Sequence, residues 1–182
     1  MYIETGRLIL RPWVDTDTEE LFRHAQNPNV ASPCGWPPHK DIDDSRNILN
    51  AILKSPENCA IELKTTGKPV GSIGLMTIAT SHTAPLAENE GEIGYWLGED
   101  YWGQGLMPEA VTAVLRYAFG ELKLSRVWAG YFPGNNKSRR VQEKCGFAYM
   151  CTDNKKYIEQ LNTEMQLNFT AIDSSKFRVS QL

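Results

Sequence analysis

The sequence predicts an α+β chain built on a mixed, mostly antiparallel sheet flanked by helices. Three observations carry this. Runs in which β-branched and aromatic residues alternate with other types recur along the chain. Between them lie segments with apolar residues at three- and four-residue spacing. One stretch, residues 93–110, passes from the first pattern to the second through a glycine-bracketed turn. Strands interleaved with helices in this way call for helices packed on the faces of a sheet.

Taken in order, Leu8 to Arg11 is a short strand. Thr16-Asp17-Thr18-Glu19 has capping-box spelling ahead of Leu21, Phe22 and Ala25, and Asn27-Pro28 stops that helix. Residues 32–40 hold three prolines, Gly35, Trp36 and His39, and predict a loop. Ile48, Leu49, Ile52 and Leu53 share one face of a helix over 42–53. Residues 59–64 and 70–78, on either side of Thr66-Gly67-Lys68, predict an antiparallel hairpin. Residues 81–91 form a polar loop. In the strand that follows, Ile93, Tyr95 and Leu97 alternate with Gly94 and Trp96. Beyond the turn, Pro108 suits a first helical turn, where its missing N–H is not needed. Val111, Val114, Leu115, Ala118 and Phe119 then share a helical face. A strand over 127–132, a short helix over 138–145 closed by Gly146, and strands near 147–151 and 165–169 complete the chain. The total is seven strands. No repeat or linker divides the sequence, so residues 1–182 are expected to form a single domain.

Composition removes several function classes. With 41% hydrophobic and 23% charged residues the chain has the balance of an ordinary globular domain. A net charge of −3 without any basic run gives no electrostatic reason for nucleic-acid binding. No stretch approaches the roughly 18 apolar residues of a membrane span. Residues 1–7 have neither a basic segment nor an apolar one of export-signal type. Cys34, Cys59, Cys145 and Cys151 form no C-x-x-C pair, and no histidine stands at zinc spacing, so no metal is expected. Unpaired thiols fit a reducing compartment, and the cytoplasm is the expected location.

The glycine-bracketed turn carries the chemistry. Gly103 and Gly105 let the main chain bend and approach a ligand with no Cβ in the way. The N–H groups of the helical turn that follows make an anion site with the positive end of the helix dipole. The P-loop spelling is absent, and a dinucleotide G-x-G-x-x-G would need glycine where Pro108 stands. Trp102-Gly103-Gln104-Gly105 after a strand instead resembles the pyrophosphate loop of the GNAT acetyltransferases, which use acetyl-coenzyme A. The family pattern is Q/R-x-x-G-x-G/A; Gly103 and Gly105 match it, and Asp100 stands in the first position. Asn135, Ser138, Val141, Glu143, Lys144, Gly146 and Phe147 further resemble the N-x-x-S-x-x-V/L-x-E-K-x-G-F signature of the RimJ/RimL-like group, which acetylates ribosomal-protein N-termini. Thr5-Gly6-Arg7-Leu8-Ile9-Leu10-Arg11 is similar to that group's opening T-x-R-L-x-L-R strand. The resemblance runs from about residue 3 to about residue 169.

It implies a GNAT fold, in which adjacent parallel strands splay apart at the cofactor cleft. It also implies direct acetyl transfer in a ternary complex, without acyl-enzyme or metal, to a primary amine, most simply the α-amino group of a protein or peptide. Relatives occur as monomers or homodimers. Main-chain N–H groups of Trp102, Gly103, Gln104, Gly105, Leu106 and Met107 would hold the pyrophosphate. The backbone of Trp96 and Leu97 would pair with the pantetheine arm, with the Leu97 N–H polarising the thioester carbonyl.

Glu92 is the candidate base. It precedes Leu97 by five residues, about 16 Å along a strand, which calls for a relaying water. The alternative is an ordinary solvated strand residue, and Glu90 is a rival. In many relatives a tyrosine four residues after the serine position protonates the thiolate; here that position is Gln142, which is no acid. Ser138 is therefore the candidate donor to the sulfur, with Asn135 binding the arm, although a serine there also suits a helix N-cap. Among Lys137, Arg139, Arg140 and Lys144, Arg139 or Arg140 is a candidate for the 3′-phosphate, against the reading of a solvated face. His24, His39 and His82 show no ligand spacing, Trp13 and Trp36 suit an acceptor pocket or the core, and Cys145 has no paired histidine for thiol catalysis. Two other functions stay open: acetylation of a small amine (polyamine, amino acid or aminoglycoside), to which Glu88, Glu90, Glu92, Glu99 and Asp100 would be suited, and a coenzyme A sensor without catalysis, suggested by Gln142.

Overall fold

Eight strands rather than seven form the sheet in the computed structural model, which describes residues 1–81 and 83–178. They are β1 (Ile3–Glu4), β2 (Leu8–Arg11), β3 (Asn58–Leu63), β4 (Lys68–Met76), β5 (Glu90–Leu97), β6 (Arg126–Tyr131), β7 (Ala148–Ile158) and β8 (Thr163–Asp173), in the spatial order β1-β2-β3-β4-β5-β6-β8-β7. The helices are α1 (Thr18–Ala25), α2 (Pro28–Ala31), α3 (Ile42–Ile48), α4 (Leu106–Gly120) and α5 (Asn136–Lys144). β5 and β6 run parallel, whereas β1–β2, β2–β3, β3–β4, β6–β8 and β7–β8 pair antiparallel. The extra strand is β1, whose two residues are too few to show an alternation. It pairs Ile3 with Leu10 and Glu4 with Ile9.

The described chain groups into two compact units, Met1–Gly74 with Tyr95–Ala110, and Leu75–Gly94 with Val111–Leu182. In the first, Trp13, Leu21, Ala25, Leu49, Leu53 and Ala60 form a core against which Trp36 and Trp96 pack. The expected capping box at Thr16 to Glu19 does not form. Asp17 is nearly buried because it takes a bidentate ion pair from Arg11 (Nη1–Oδ2 2.7 Å, Nη2–Oδ1 2.9 Å) and the Val14 N–H. Arg11 also reaches Glu62 at 2.6 Å, so one guanidinium joins β2, β3 and the entry to α1. Asn27 stops α1 as expected and then caps the one-turn α2, its Oδ1 accepting from Asn29 N at 2.9 Å. The helix expected over 42–53 is α3 followed by a π turn, Leu49–Leu53. His39 is buried, its Nδ1 2.8 Å from Ser45 Oγ and its ring against Trp36, and is therefore a core residue.

In the second unit, Val111, Val114, Leu115 and Ala118 of α4 are buried, while Trp128, Leu167, Phe169 and Ala171 form a further cluster with Ala84, Leu86 and Phe132 packed on it. β7 and β8 each run 11 residues, well past the short apolar segments that signal them. β7 is an edge strand, mostly exposed, with register shifts at Tyr149/Cys151 and Asp153/Lys156. Such shifts break the regular outer edge, one way to discourage pairing with another chain.

Candidate active site

In the first unit β5 passes into the glycine loop through a short 3-10 turn, Glu99–Tyr101. The strand end is tightly held. Gly98 donates its N–H to Val70 O at 2.8 Å, and the Trp102 indole N–H donates to Leu97 O at 2.7 Å. Successive N–H groups of an extended chain point to opposite sides, so the Leu97 N–H points away from β4. Gly98 cannot be larger, because a Cβ there would lie 2.5 Å from Nδ1 of the buried His24. Burial pulls the His24 pKa down, and among the described residues its buried Nε2 has no hydrogen-bond partner, the Glu20 carboxylate standing 3.9 Å away.

Gly103 and Gly105 have φ of +74° and +76°, the left-handed region that glycine enters without strain, and a Cβ on Gly103 would touch nothing. α4 begins at Leu106. A carboxylate in its first turn ties this loop to the start of the chain. Glu109 Oε1 accepts from Thr5 Oγ1 (2.6 Å) and Arg7 N (2.9 Å), its Oε2 accepts from Arg7 Nε (2.7 Å), and Arg7 Nη1 donates to Gln104 O at 2.9 Å. Burial pushes the Glu109 pKa up, but the Thr5 hydroxyl, the Arg7 amide and the Arg7 guanidinium outweigh it and hold the carboxyl below its usual 4.5. A depressed folded-state pKa means stability that is present above the usual value and lost as pH falls through the depressed one. Glu109→Gln is thus expected to melt at a lower temperature than the wild type at neutral pH. Its melting temperature should also fall less steeply from about pH 5 downward. Parallel curves of melting temperature against pH would refute the assignment.

In the second unit Glu92 is 5% exposed, not a solvated strand residue, and pairs in register with Trp128 of β6. That pair is the last of the three in the β5–β6 register, which runs Glu90↔Arg126, Gly91↔Val127, Glu92↔Trp128, while β5 itself continues to Leu97. The carboxylate receives three donors from the preceding loop: Ser81 Oγ at 2.5 Å and Ala84 N at 3.2 Å on Oε2, and Thr83 Oγ1 on Oε1. Glu90 is structural. It accepts from the Trp128 indole at 2.7 Å and from Ala87 N at 3.1 Å. His82 lies outside the described residues. Thr83, Ala84 and Pro85 also border a depression of about 410 Å³ whose far side is Cys151 to Asn154, Lys156 and Phe169.

The cap of α5 is Asn135, not Ser138: Asn135 Oδ1 accepts from Ser138 N at 3.1 Å. The helix-cap explanation of Ser138 is thereby removed, and the serine stands inside the first turn. Gln142, one turn later, is 1% exposed and donates to Ser138 Oγ at 3.1 Å. Arg139 lies alongside Glu143, Nε to Oε1 3.4 Å, on the exposed face of α5. Cys145 sits 3.9 Å from Thr112 Oγ1, and burial pushes its thiol up to about 11, against a nucleophilic role. Trp13 is core, whereas Trp36 and Trp96 are half-buried and meet edge to face at 6.1 Å.

The residues missed from sequence are Ser81, Thr83, Arg7, Glu109 and the partners of Gln142. Only the four-residue spacing of Ser138 and Gln142 was a local signal. Arg7 and Glu109 are 102 residues apart.

Comparison with known proteins identifies the family. Residues 7–148 match the family model of the acetyltransferase (GNAT) domain. The uncharacterized N-acetyltransferase YoaA of Bacillus subtilis (strain 168) is 31% identical over 150 residues, 80% of this chain and 81% of its own. The [Ribosomal protein uS5]-alanine N-acetyltransferase of Escherichia coli (strain K12) is 38% identical over 55 residues, 30% of this chain and 28% of its own. The crystal structure of a GNAT-family acetyltransferase from Bacillus anthracis superposes with a TM-score of 0.82 at 27% identity, covering 96% of this chain and 99% of that one. From the family match over most of its length and the likeness to an N-acetyltransferase over four fifths of both chains, the chain belongs to the GNAT family and is an acetyl-coenzyme A-dependent N-acetyltransferase.

Proposed function

We propose that the whole chain acts as one catalytic domain, in the cytoplasm, that acetylates the N-terminal α-amino group of a protein or peptide by direct transfer from acetyl-coenzyme A. The observation that carries this reading is Glu92: a nearly buried carboxylate at the last β5–β6 pair, held in direction by three donors. A carboxylate offers about four lone-pair directions, and the described residues take three; the reading gives a fourth to a water that relays the ammonium proton. The acceptor class rests on the segment shared with the uS5-alanine enzyme.

In this reading the main chain from Trp102 to Met107 holds the pyrophosphate, supported by the two positive-φ glycines and the start of α4. Trp96 and Leu97 align the pantetheine arm, and the Leu97 N–H, directed away from β4, takes the developing oxyanion. Asn135 contacts the arm, and Arg139 meets the 3′-phosphate. The amine nitrogen attacks the thioester carbon, its proton leaves through water to Glu92, and the C–S electron pair departs with sulfur. Ser138 donates a hydrogen bond to that thiolate. With a thiol pKa near 8.5 the anion leaves without full proton transfer from the protein.

The test is thiol release from acetyl-coenzyme A with peptides of varied N-termini, polyamines, amino acids and aminoglycosides. The expected result is turnover with peptides, ended by blocking their α-amine. Turnover confined to polyamines or aminoglycosides would replace the acceptor assignment with a small-molecule one.

A further inference from the structure

We infer that Gln142 is a positioning residue for thiolate departure: its side-chain amide fixes the direction of the Ser138 hydroxyl, an inference that rests on the role proposed for Ser138 above. The resemblance drawn above implies a tyrosine acid at this position in many relatives, and glutamine cannot be one. Its environment gives it a different task.

The argument is one of hydrogen-bond polarity. Gln142 is 1% exposed, so every polar atom of its amide needs a partner. One partner is the carbonyl of Gly130 on β6, 3.2 Å from the amide nitrogen. A carbonyl can only accept, which settles which end of the amide faces it. The NH₂ group therefore lies on that side, and its second hydrogen goes to Ser138 Oγ at 3.1 Å. The carbonyl end, Oε1, lies 2.9 Å from Thr170 Oγ1 of β8, whose one proton it shares with the Ala129 carbonyl at the longer distance of 3.3 Å. Both ends of the amide agree on one orientation.

The consequence falls on Ser138. Its oxygen accepts from Gln142, so its own proton cannot lie along that direction and must be directed to a different acceptor. A hydroxyl that accepts one hydrogen bond is also the stronger donor of the next. The chain Gly130, Gln142, Ser138 thus has one polarity, in which the serine oxygen accepts from Gln142 and its proton points elsewhere; the role proposed for Ser138 directs that proton at the thiolate. Gly130 stands two residues beyond Trp128, the last β6 residue in register with β5, so the anchor lies where the parallel pairing has ended.

The experiment is a double-mutant cycle on thiol release from acetyl-coenzyme A, with a peptide beginning with alanine as acceptor. Gln142→Met keeps the volume and removes the donor. Ser138→Ala and Gln142→Met are each expected to lower kcat about tenfold, the factor one hydrogen bond to an anion supplies, with little change in KM for acetyl-coenzyme A. The double variant should be no slower than Ser138→Ala, because Gln142 acts only through the serine. A Gln142→Met loss of the same factor in both backgrounds, or no loss in either, would overturn the inference. Should Gln142→Met fail to fold, Thr170→Val loosens the amide at its other end. It is expected to lower kcat about threefold with Ser138 present and not at all with Ser138→Ala, and equal losses would overturn the inference as before. Full kcat in Ser138→Ala itself would remove the role proposed for the serine, and this inference with it.

Discussion

Glu92→Gln is expected to leave roughly one part in 10² to 10⁴ of kcat/KM, the usual contribution of a general base, with KM for acetyl-coenzyme A unchanged. Glutamine is isosteric but cannot take a proton. Its residual rate should rise with pH until the acceptor ionises unaided, near the ordinary α-amine pKa of about 8. The substitution also turns an NH₂ toward donors that now face oxygen, since Ser81, Thr83 and Ala84 supply hydrogens to both carboxylate oxygens. A modest fall in melting temperature should therefore accompany the kinetic loss. Full kcat/KM at every pH would end Glu92's candidacy as the base.

The second large effect is expected from Gly71→Ala on β4. A Cβ at this position would lie 2.4 Å from the Trp96 carbonyl oxygen and 3.1 Å from Leu97 Cα. The obstacle is backbone, which no rotamer change can remove. Overpacking of a core usually costs about 1–3 kcal/mol, and a main-chain target places this change near 3. For a chain of this size the melting temperature should then fall by roughly 6–12 °C. The displaced segment, Trp96 and Leu97, is the one assigned to the thioester arm, so KM for acetyl-coenzyme A should rise as well. Gly120→Ala is the control, since its Cβ would meet nothing. Wild-type melting and KM in Gly71→Ala would show that β4 and β5 yield freely at this point.

Legibility from sequence followed burial on one face. Ile93, Tyr95 and Leu97 announced β5 because their neighbours alternate, but the strand begins at Glu90. Its first three residues include carboxylates whose partners, Trp128 and the hydroxyls of Ser81 and Thr83, lie in other segments. No pattern on β5 alone reveals that compensation. The outer half of β7 was silent for the opposite reason: Thr152 to Tyr157 is mostly exposed on an edge and has no apolar face to alternate. Cap spelling misled twice. The spelling at Thr16 to Glu19 makes no side-chain cap bond on α1, Asp17 there taking Arg11 and the Val14 N–H, and Asn135 takes the cap that Ser138 could have filled. A cap residue competes with every donor that folding brings near it, and those donors are not adjacent in the chain. The glycine loop was legible because positive φ is so costly for other residues that Gly103 and Gly105 mark it directly.

The tie between Arg7 and Glu109 also has a history in time. The two residues are 102 positions apart, and the loop they close spans most of the first unit. At a synthesis rate of roughly 5–20 residues per second, Arg7 exists for about 5–20 s before its carboxylate partner is made. For that interval the Arg7 guanidinium lacks the carboxylate that holds it in the fold, and the glycine loop is not yet made. The donor loop is therefore among the last parts of this unit that a growing chain can complete, and its order depends on the earliest residues having stayed available.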